Sequence, residues 1–284
     1  MRPMRTTALL FTGLLVLVTA CQPSGSASGD PDDLLAAIQA AGVIRVATDP
    51  AYPPQSELLP DGTYQGFDID VAERIAEELG VTVEYITPDF SEVVAGGWAS
   101  RWDISVGSVT VTAEREGVLD FTEAYYYTPA QMAATTASGI TTLDGLAGMT
   151  ICVGEQTTYQ FWLEGTLELV GSPEPAAVPE GAEFTTFSTD TECADAIASG
   201  RTDFEGWLTS STTLASAIAN GAEFVEVGDP VFYEALAVAT DKAGPAHAGL
   251  QAELDRIIAE MHSDGSLTGL SEQWFDGLDL TTVD

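Results

Sequence analysis

Arg115 stands in the stretch ISVGSVTVTAEREGVLDF of a chain with 44 acidic residues and only 9 Lys plus Arg. A guanidinium is a planar fork whose N–H donors match both oxygens of a carboxylate. Arg115 is therefore suited either to an ion pair with its neighbours Glu114 and Glu116 or to an anion from outside the chain. Other reactive side chains are scarce. The only histidines, His247 and His262, lie far along the chain in its C-terminal region. No metal-ligand cluster, nucleophile motif or phosphate-binding loop can be read, so neither a metal, a cofactor nor catalysis is expected, although an acidic side chain could still act as a general acid or base. Trp98, Trp102 and Trp162 sit on helix faces or beside a strand, where packing is the expected role.

The formal charge of −35 leaves one lysine, Lys242, and eight arginines. Nucleic acid and anionic membrane surfaces would repel such a chain at long range. Acidity of this kind suits a solvated surface in a salty or extracellular medium. With 284 residues, 45% of them hydrophobic, the chain can bury a substantial core. It opens MRPMRTTALLFTGLLVLVTAC, two arginines followed by an apolar run and small residues, which reads as a secretory signal over 1–20. The apolar run, Ala8 to Val18, is too short to span a bilayer. Val18-Thr19-Ala20-Cys21 resembles the lipobox of bacterial lipoproteins, which implies acylation of Cys21 as the mature first residue, and 21–30 reads as a flexible tether. Cys152 and Cys193 remain, either as a disulfide in an oxidising compartment or as two buried apolar thiols.

The elements that must position Arg115 alternate. DPDDLLAAIQAAG reads as a capped helix and GVIRVAT as a strand. GFDIDVAERIAEELG places Val71, Ile75 and Leu79 on one helical face with Gly80 as the stop, and VTVEYIT follows as a strand. The rhythm continues through a helix around Ser91 to Ala99, strands DISVGSV and MTICVGE, helix TTYQFWLEG, strand EFTTF, helix DTECADAIASG, strand TDFEGW, helix STTLASAIANG and strand EFVEV. This predicts an α/β fold with parallel sheet. Two segments, YYYTPAQMAATT and DPVFYEALAVATD, read as extended strands without an intervening helix. The expected architecture is two α/β lobes joined by two crossover strands: 31–128 and 237–284 form lobe 1, 133–232 form lobe 2, and hinge strands fall at about 126–136 and 229–241. The C-terminal helical stretch, with Leu250, Leu254, Ile257, Ile258 and Met261 on its buried face, is placed on lobe 1. VGSPEPAAVPEGA reads as a surface loop.

GVIRVATDPAYPPQSELLPDGTYQGFDIDVAERIAEELGVTVEYI, followed by ISVGSVTVTAEREGVLDFTEAYYY, resembles the polar amino-acid family of periplasmic-type solute-binding proteins of ABC importers, from about Gly42 to Asp276. The resemblance implies a type II periplasmic-binding-protein fold, two lobes that close on a small zwitterion, an ABC permease as membrane partner, a monomeric state and, with the lipobox, anchoring on the outer face of the cytoplasmic membrane. By position it implies that Arg115 takes the ligand α-carboxylate, with Ser108 and Thr110 as donors beside it. Asp49 meets the distal polar end of the ligand, while Tyr52 and Phe90 stack on its body. Thr158, supported by Thr157, meets the same carboxylate from lobe 2 at the strand-to-helix turn GEQTTYQ. ICVGEQTT and DTECADAIASGR resemble glutamate-binding relatives in which the corresponding cysteines are bonded, which implies a Cys152–Cys193 disulfide.

Two departures stand out. The family's aspartate for the ligand α-ammonium falls here on Leu208 or Thr209, so either Glu205 or another acid substitutes, or the ligand cation is delocalised and meets Trp207 through its ring. Gly107 replaces a serine common in the family, which enlarges the pocket or removes a donor. The expected function is thus capture of a small zwitterion, a polar amino acid first, with a cyclic or betaine-type compatible solute such as ectoine as the alternative. A dehydratase-type enzyme on the same scaffold and the sensor domain of a signalling protein rank below both.

Overall fold

Asp33 accepts a hydrogen bond from Leu35 N at 3.1 Å and Gly42 closes the same helix in the left-handed conformation, so α1 (Leu34–Ala41) is bounded by its own caps. The computed structural model describes residues 33–282. The signal peptide expected over 1–20, the lipid site expected at Cys21 and the tether expected over 21–30 lie outside the described residues. After α1 come β1 (Val43–Ala47), β2 (Ala51–Tyr52), β3 (Ser56–Leu58), β4 (Tyr64–Gln65), α2 (Phe67–Leu79) and β5 (Thr82–Ile86). Then follow α3 (Phe90–Val94), β6 (Ile104–Thr110), β7 (Leu119–Thr135), β8 (Thr150–Gly154), α4 (Thr158–Glu164) and β9 (Glu183–Phe187). The chain finishes with α5 (Glu192–Ala198), β10 (Gly206–Ser210), α6 (Ser211–Ala219), β11 (Phe224–Glu226), β12 (Phe232–Asp241), α7 (Ala248–Ser263) and α8 (Ser266–Trp274).

The main sheet is mixed, in the order β5-β1-β6-β12-β7-β10-β8-β9, with β11 also paired to β7. β7 and β12 are its axis. They pair antiparallel from Leu119↔Asp241 to Ala130↔Phe232. β6 joins the C-terminal part of β12, whereas β10 joins the C-terminal part of β7 at Ala130–Ala134. Parallel strands therefore flank the axis at opposite ends, β5-β1-β6 on one side and β10-β8-β9 on the other. Separate cores form in each half. Ile44, Val46, Phe67 and Ile75 pack with the α7 residues Leu250, Leu254, Ile257, Ile258 and Met261 in the first, while Met132, Ile151, Val153, Trp162 and Leu208 pack in the second. Each of those five α7 side chains is at most 1% exposed, worth about 1.5–3 kcal/mol of burial apiece.

Three features depart from the sequence pattern. The helix expected around Ser91 to Ala99 stops at Val94, because Gly96 and Gly97 both adopt φ +65 and a Cβ on Gly96 would lie 2.9 Å from Val118 Cβ. The strand expected at TDFEGW begins only at Gly206 and runs to Ser210, in register with β7 from Ala134 to Ala130. Finally, β2, β3 and β4 form a small antiparallel sheet that carries Tyr52 and Gln55 toward the second half. Gly66 makes this possible: a Cβ there would sit 2.2 Å from Gln55 O.

Cys152 on β8 and Cys193 on α5 are bonded, with Cα atoms 5.9 Å apart and a sequence separation of 41. The bond ties strand to helix inside the second half, where Trp207, Phe204 and Phe224 cover it. Replacing both cysteines by alanine is expected to cost about 2–4 kcal/mol, seen as a lower thermal midpoint; an unchanged midpoint would show that the apolar packing alone holds α5.

Asp68, at the start of α2, is wholly buried and accepts hydrogen bonds from Ser108 Oγ and Tyr125 OH, each at 2.7 Å. These contacts hold Ser108 at φ +55, a left-handed conformation that costs a non-glycine residue about 1–3 kcal/mol. Burial pushes the Asp68 carboxyl up to about 7, against the opposing pull of those hydroxyls. A raised carboxyl holds its proton more tightly in the folded chain. Its contribution to stability is complete below about pH 4 and is lost as pH rises toward about 7. Asp68→Asn, neutral throughout, should therefore gain in thermal midpoint relative to the parent chain over that window. A difference independent of pH would show that Asp68 does not titrate there.

Candidate functional site

In an α/β sheet, ligands bind beyond the carboxyl ends of the strands. Here the ends of β1, β6, β8 and β9 converge from the two halves on a cavity of about 490 Å³, counted with its opening. Asp49 follows β1, and Tyr52 lies on β2. Gly107, Ser108 and Thr110 occupy the end of β6, Arg115 the short helical turn after it, Phe90 the start of α3, and Thr157 and Thr158 the turn into α4. All of these line the cavity. Trp207 does not. It is the second residue of β10, fully buried, with its ring 5.1 Å from Phe224 in the second core. A strand covered on both faces buries its mid-strand side chains, and only residues at its carboxyl end reach the cavity.

Arg115 is 2% exposed. Its two terminal nitrogens donate to Thr110 O at 3.0 Å and to Gln156 O at 2.9 Å, so the guanidinium bridges the halves. Its Nε has no hydrogen-bond partner, and its Cζ lies 5.3 Å from the Phe90 ring centre. Neither Glu114 nor Glu116 forms an ion pair with it among the described residues; the acids whose charge it feels are Glu234 first and Glu114 second. Burial lowers the Arg115 pKa to about 10, which leaves it protonated at neutral pH.

The hydroxyls expected to face a ligand carboxylate are engaged from within. Ser108 Oγ donates to Asp68, while the Thr110 and Thr158 hydroxyls both donate to Glu234 Oε1. Tyr159 OH donates to Glu234 Oε2 at 2.9 Å. Thr157 caps α4: its Oγ1 accepts from Gln160 N and donates to Gly154 O. Further contacts close the cavity across the halves. Gln55 Nε2 donates to Thr212 Oγ1 at 2.7 Å and Ser210 Oγ at 3.2 Å, and the Tyr52 and Tyr159 hydroxyls lie 3.4 Å apart. Gly107 fits tightly against β1, since a Cβ there would come 3.3 Å from Thr48 Cα.

Six lining residues escaped the sequence reading, Tyr159, Ser188, Thr189, Asp190, Glu234 and Leu236, and of these Glu234, Tyr159 and Asp190 matter most to the chemistry. Glu234 is the one acid inside the crossover segment VFYEALAVAT, a signal visible in the sequence. Asp190 closes the loop after β9, and its position at a strand's carboxyl end is the clue. It is 4% exposed, and its Oδ2 has no hydrogen-bond partner. Burial pushes its carboxyl up to about 7; the neighbouring Thr209 opposes this, and Asp49 and Glu234 add to it. Asp49 and Glu234 are raised mainly by burial as well. Glu205, the acid expected to replace the missing aspartate, instead accepts from Thr150 N at the other end of the strand, and Leu208 is core. Both histidines lie off the cavity, His247 beside Asp120 and His262 beside Ala124 O.

The profile of the bacterial extracellular solute-binding proteins, family 3, matches residues 44–277. The probable amino-acid-binding protein YxeM of Bacillus subtilis is 26% identical over 278 residues, 97% of each chain. The L-cystine-binding protein TcyJ of Escherichia coli K12 is 26% identical over 256 residues, 88% of each chain. Among solved structures, an ancestral amino acid-binding protein described as a precursor of cyclohexadienyl dehydratase superposes with a TM-score of 0.71 at 26% identity, covering 85% of this chain and 99% of its own. The mixed sheet, the carboxyl-end cavity and the match across most of the chain agree, and the chain belongs to the bacterial extracellular solute-binding proteins, family 3.

Proposed function

We infer that this chain is the extracytoplasmic receptor of an ABC importer, capturing a small zwitterion, a polar amino acid first, by closure of two lobes about β7 and β12. The observation that carries this reading is Arg115: a guanidinium 2% exposed, lining a cavity between the halves, with its Nε–H and one further N–H on each terminal nitrogen unspent among the described residues. Tyr52 and Phe90 flank the space for the ligand body. β7 and β12 are the only long strands shared by both halves among the described residues, so rotation about them opens the cavity without breaking either core. The lobes run over 31–128 with 237–284 and over 133–232. Acylation of Cys21 and a 21–30 tether would hold the receptor, as a monomer, near its permease on the outer face of the membrane.

Relatives that bind amino acids support the ligand class. The cyclic or betaine-type alternative leaned on Trp207 facing the ligand, and Trp207 packs against Phe224 instead, so a polar amino acid is preferred. Buried proton-holding carboxyls together with a neighbour described as a dehydratase precursor favour one second reading, an elimination catalyst. Product analysis after incubation with candidate zwitterions separates the two readings, since a receptor returns its ligand unchanged.

Calorimetric titration against a panel of amino acids and compatible solutes is the direct test. Arg115→Ala is expected to weaken binding of the preferred solute by about 2–5 kcal/mol, or about thirtyfold to several thousandfold. Unaltered affinity in that variant would remove the carboxylate clamp from the mechanism.

A further inference from the structure

The charges lining the cavity do not balance. Among the described residues it holds one guanidinium, Arg115, against three carboxyl groups, Asp49, Asp190 and Glu234. Glu234 is the satisfied one: both oxygens accept from hydroxyls, those of Thr110 and Thr158 on Oε1 and that of Tyr159 on Oε2, and it lies within the field of Arg115. Asp49 and Asp190 form no ion pair among the described residues. One Asp49 oxygen accepts from Ala51 N at 2.7 Å. Asp190 is worse placed: its Oδ2 is buried without any partner, and the Thr209 Oγ1 beside it is equally unpartnered. A buried carboxyl left in this state is costly unless a cation completes it.

We propose that the cavity takes a solute with two cationic groups joined by a short chain, one held by Asp190 and the other by Asp49, and that Asp190 supplies the ammonium contact that Leu208 and Thr209 lack. This rests on the solute-receptor reading and narrows it by charge. Neutral and acidic amino acids leave at least one of the two carboxyls uncompensated, whereas a solute with two cations pairs both. Glu234 adds a second consequence. Because it already occupies the hydroxyls of Thr110 and Thr158, the ligand's own carboxylate is left with the Arg115 N–H donors that Thr110 O and Gln156 O do not take. Basic amino acids and their decarboxylated diamine counterparts thus share the chemistry that the cavity reads.

The test is calorimetric titration of the purified full chain with lysine, arginine, cadaverine, agmatine, norleucine, glutamine and glutamate. The proposal expects at least one two-cation member to bind about tenfold or more tightly than glutamine and glutamate, and norleucine, which is lysine without its distal ammonium, to bind about tenfold or more weakly than lysine. Asp190→Asn should weaken the two-cation ligand by about thirtyfold or more, while the thermal midpoint without ligand holds or rises. Comparing lysine with cadaverine then identifies the source: parity points to diamines held by Asp190 and Asp49 alone, and a lysine preference to amino acids clamped by Arg115. Glutamine or glutamate binding as tightly as the cations would overturn the two-cation assignment and leave the receptor reading intact, and so would norleucine matching lysine, a comparison that needs no variant to fold. Binding by no member of the panel would overturn both.

Discussion

A carboxylate buried between two halves of a protein must be satisfied by both or destabilise each, and Glu234 is such a group. It is 2% exposed and sits on β12, the strand common to both halves. Thr110 reaches it from the end of β6, and Thr158 and Tyr159 from the first turn of α4. Arg115, two residues beyond Ala113 in the loop after β6, neutralises its field and donates across to Gln156 O. Closure of the cavity therefore depends on one hydrogen-bonded centre that draws on every neighbouring element. Three hydroxyl donors to one carboxylate also explain why burial, which would otherwise protonate Glu234, is opposed at each oxygen.

Around that centre the architecture divides labour. The β7–β12 pair contributes to both cores, Tyr125 and Leu236 to the first and Met132 and Phe232 to the second, so the halves keep separate cores and still meet at the cavity. Within the second half, the Cys152–Cys193 bond and the packed Trp207 make β8, α5 and β10 one rigid block. That rigidity positions Asp190, which follows β9 and precedes α5. On the other side, Asp68 under Ser108 keeps the end of β6 in its left-handed turn, which directs the following residues, Thr110 and Arg115 among them, into the cavity.

Much of this was legible in the chain as a string. The strand–helix alternation, the capped α1 and the apolar face of α7 follow from local rules: side-chain oxygens at helix starts, glycine at helix ends and hydrophobic spacing. Arg115 stood out as a scarce residue type in an acidic chain, whereas Tyr52, Phe90 and the Ser108–Thr110 segment were singled out only through the family resemblance that their surrounding sequence carries. The failures share a cause. Trp207 looked available because a tryptophan near the usual ammonium position invites a cation, yet its place three residues before the strand end buried it. The TDFEGW strand was set four residues early because ladder register with β7, not composition, fixes where β10 begins.

What the amino-acid order determined by itself is the set of elements, their polarity and the strong bias toward negative charge, since these depend on neighbours a few residues apart. Only the tertiary structure decided which carboxyls share the cavity. Asp49 stands 141 positions before Asp190 and Glu234 stands 44 beyond it, and nothing local tells an acid on a solvated surface from one at a strand's carboxyl end. Burial, the absence of a partner for Asp190 Oδ2 and the diversion of the threonine hydroxyls to Glu234 arise from packing two halves together, because the cost of a charge is set by what surrounds it in space.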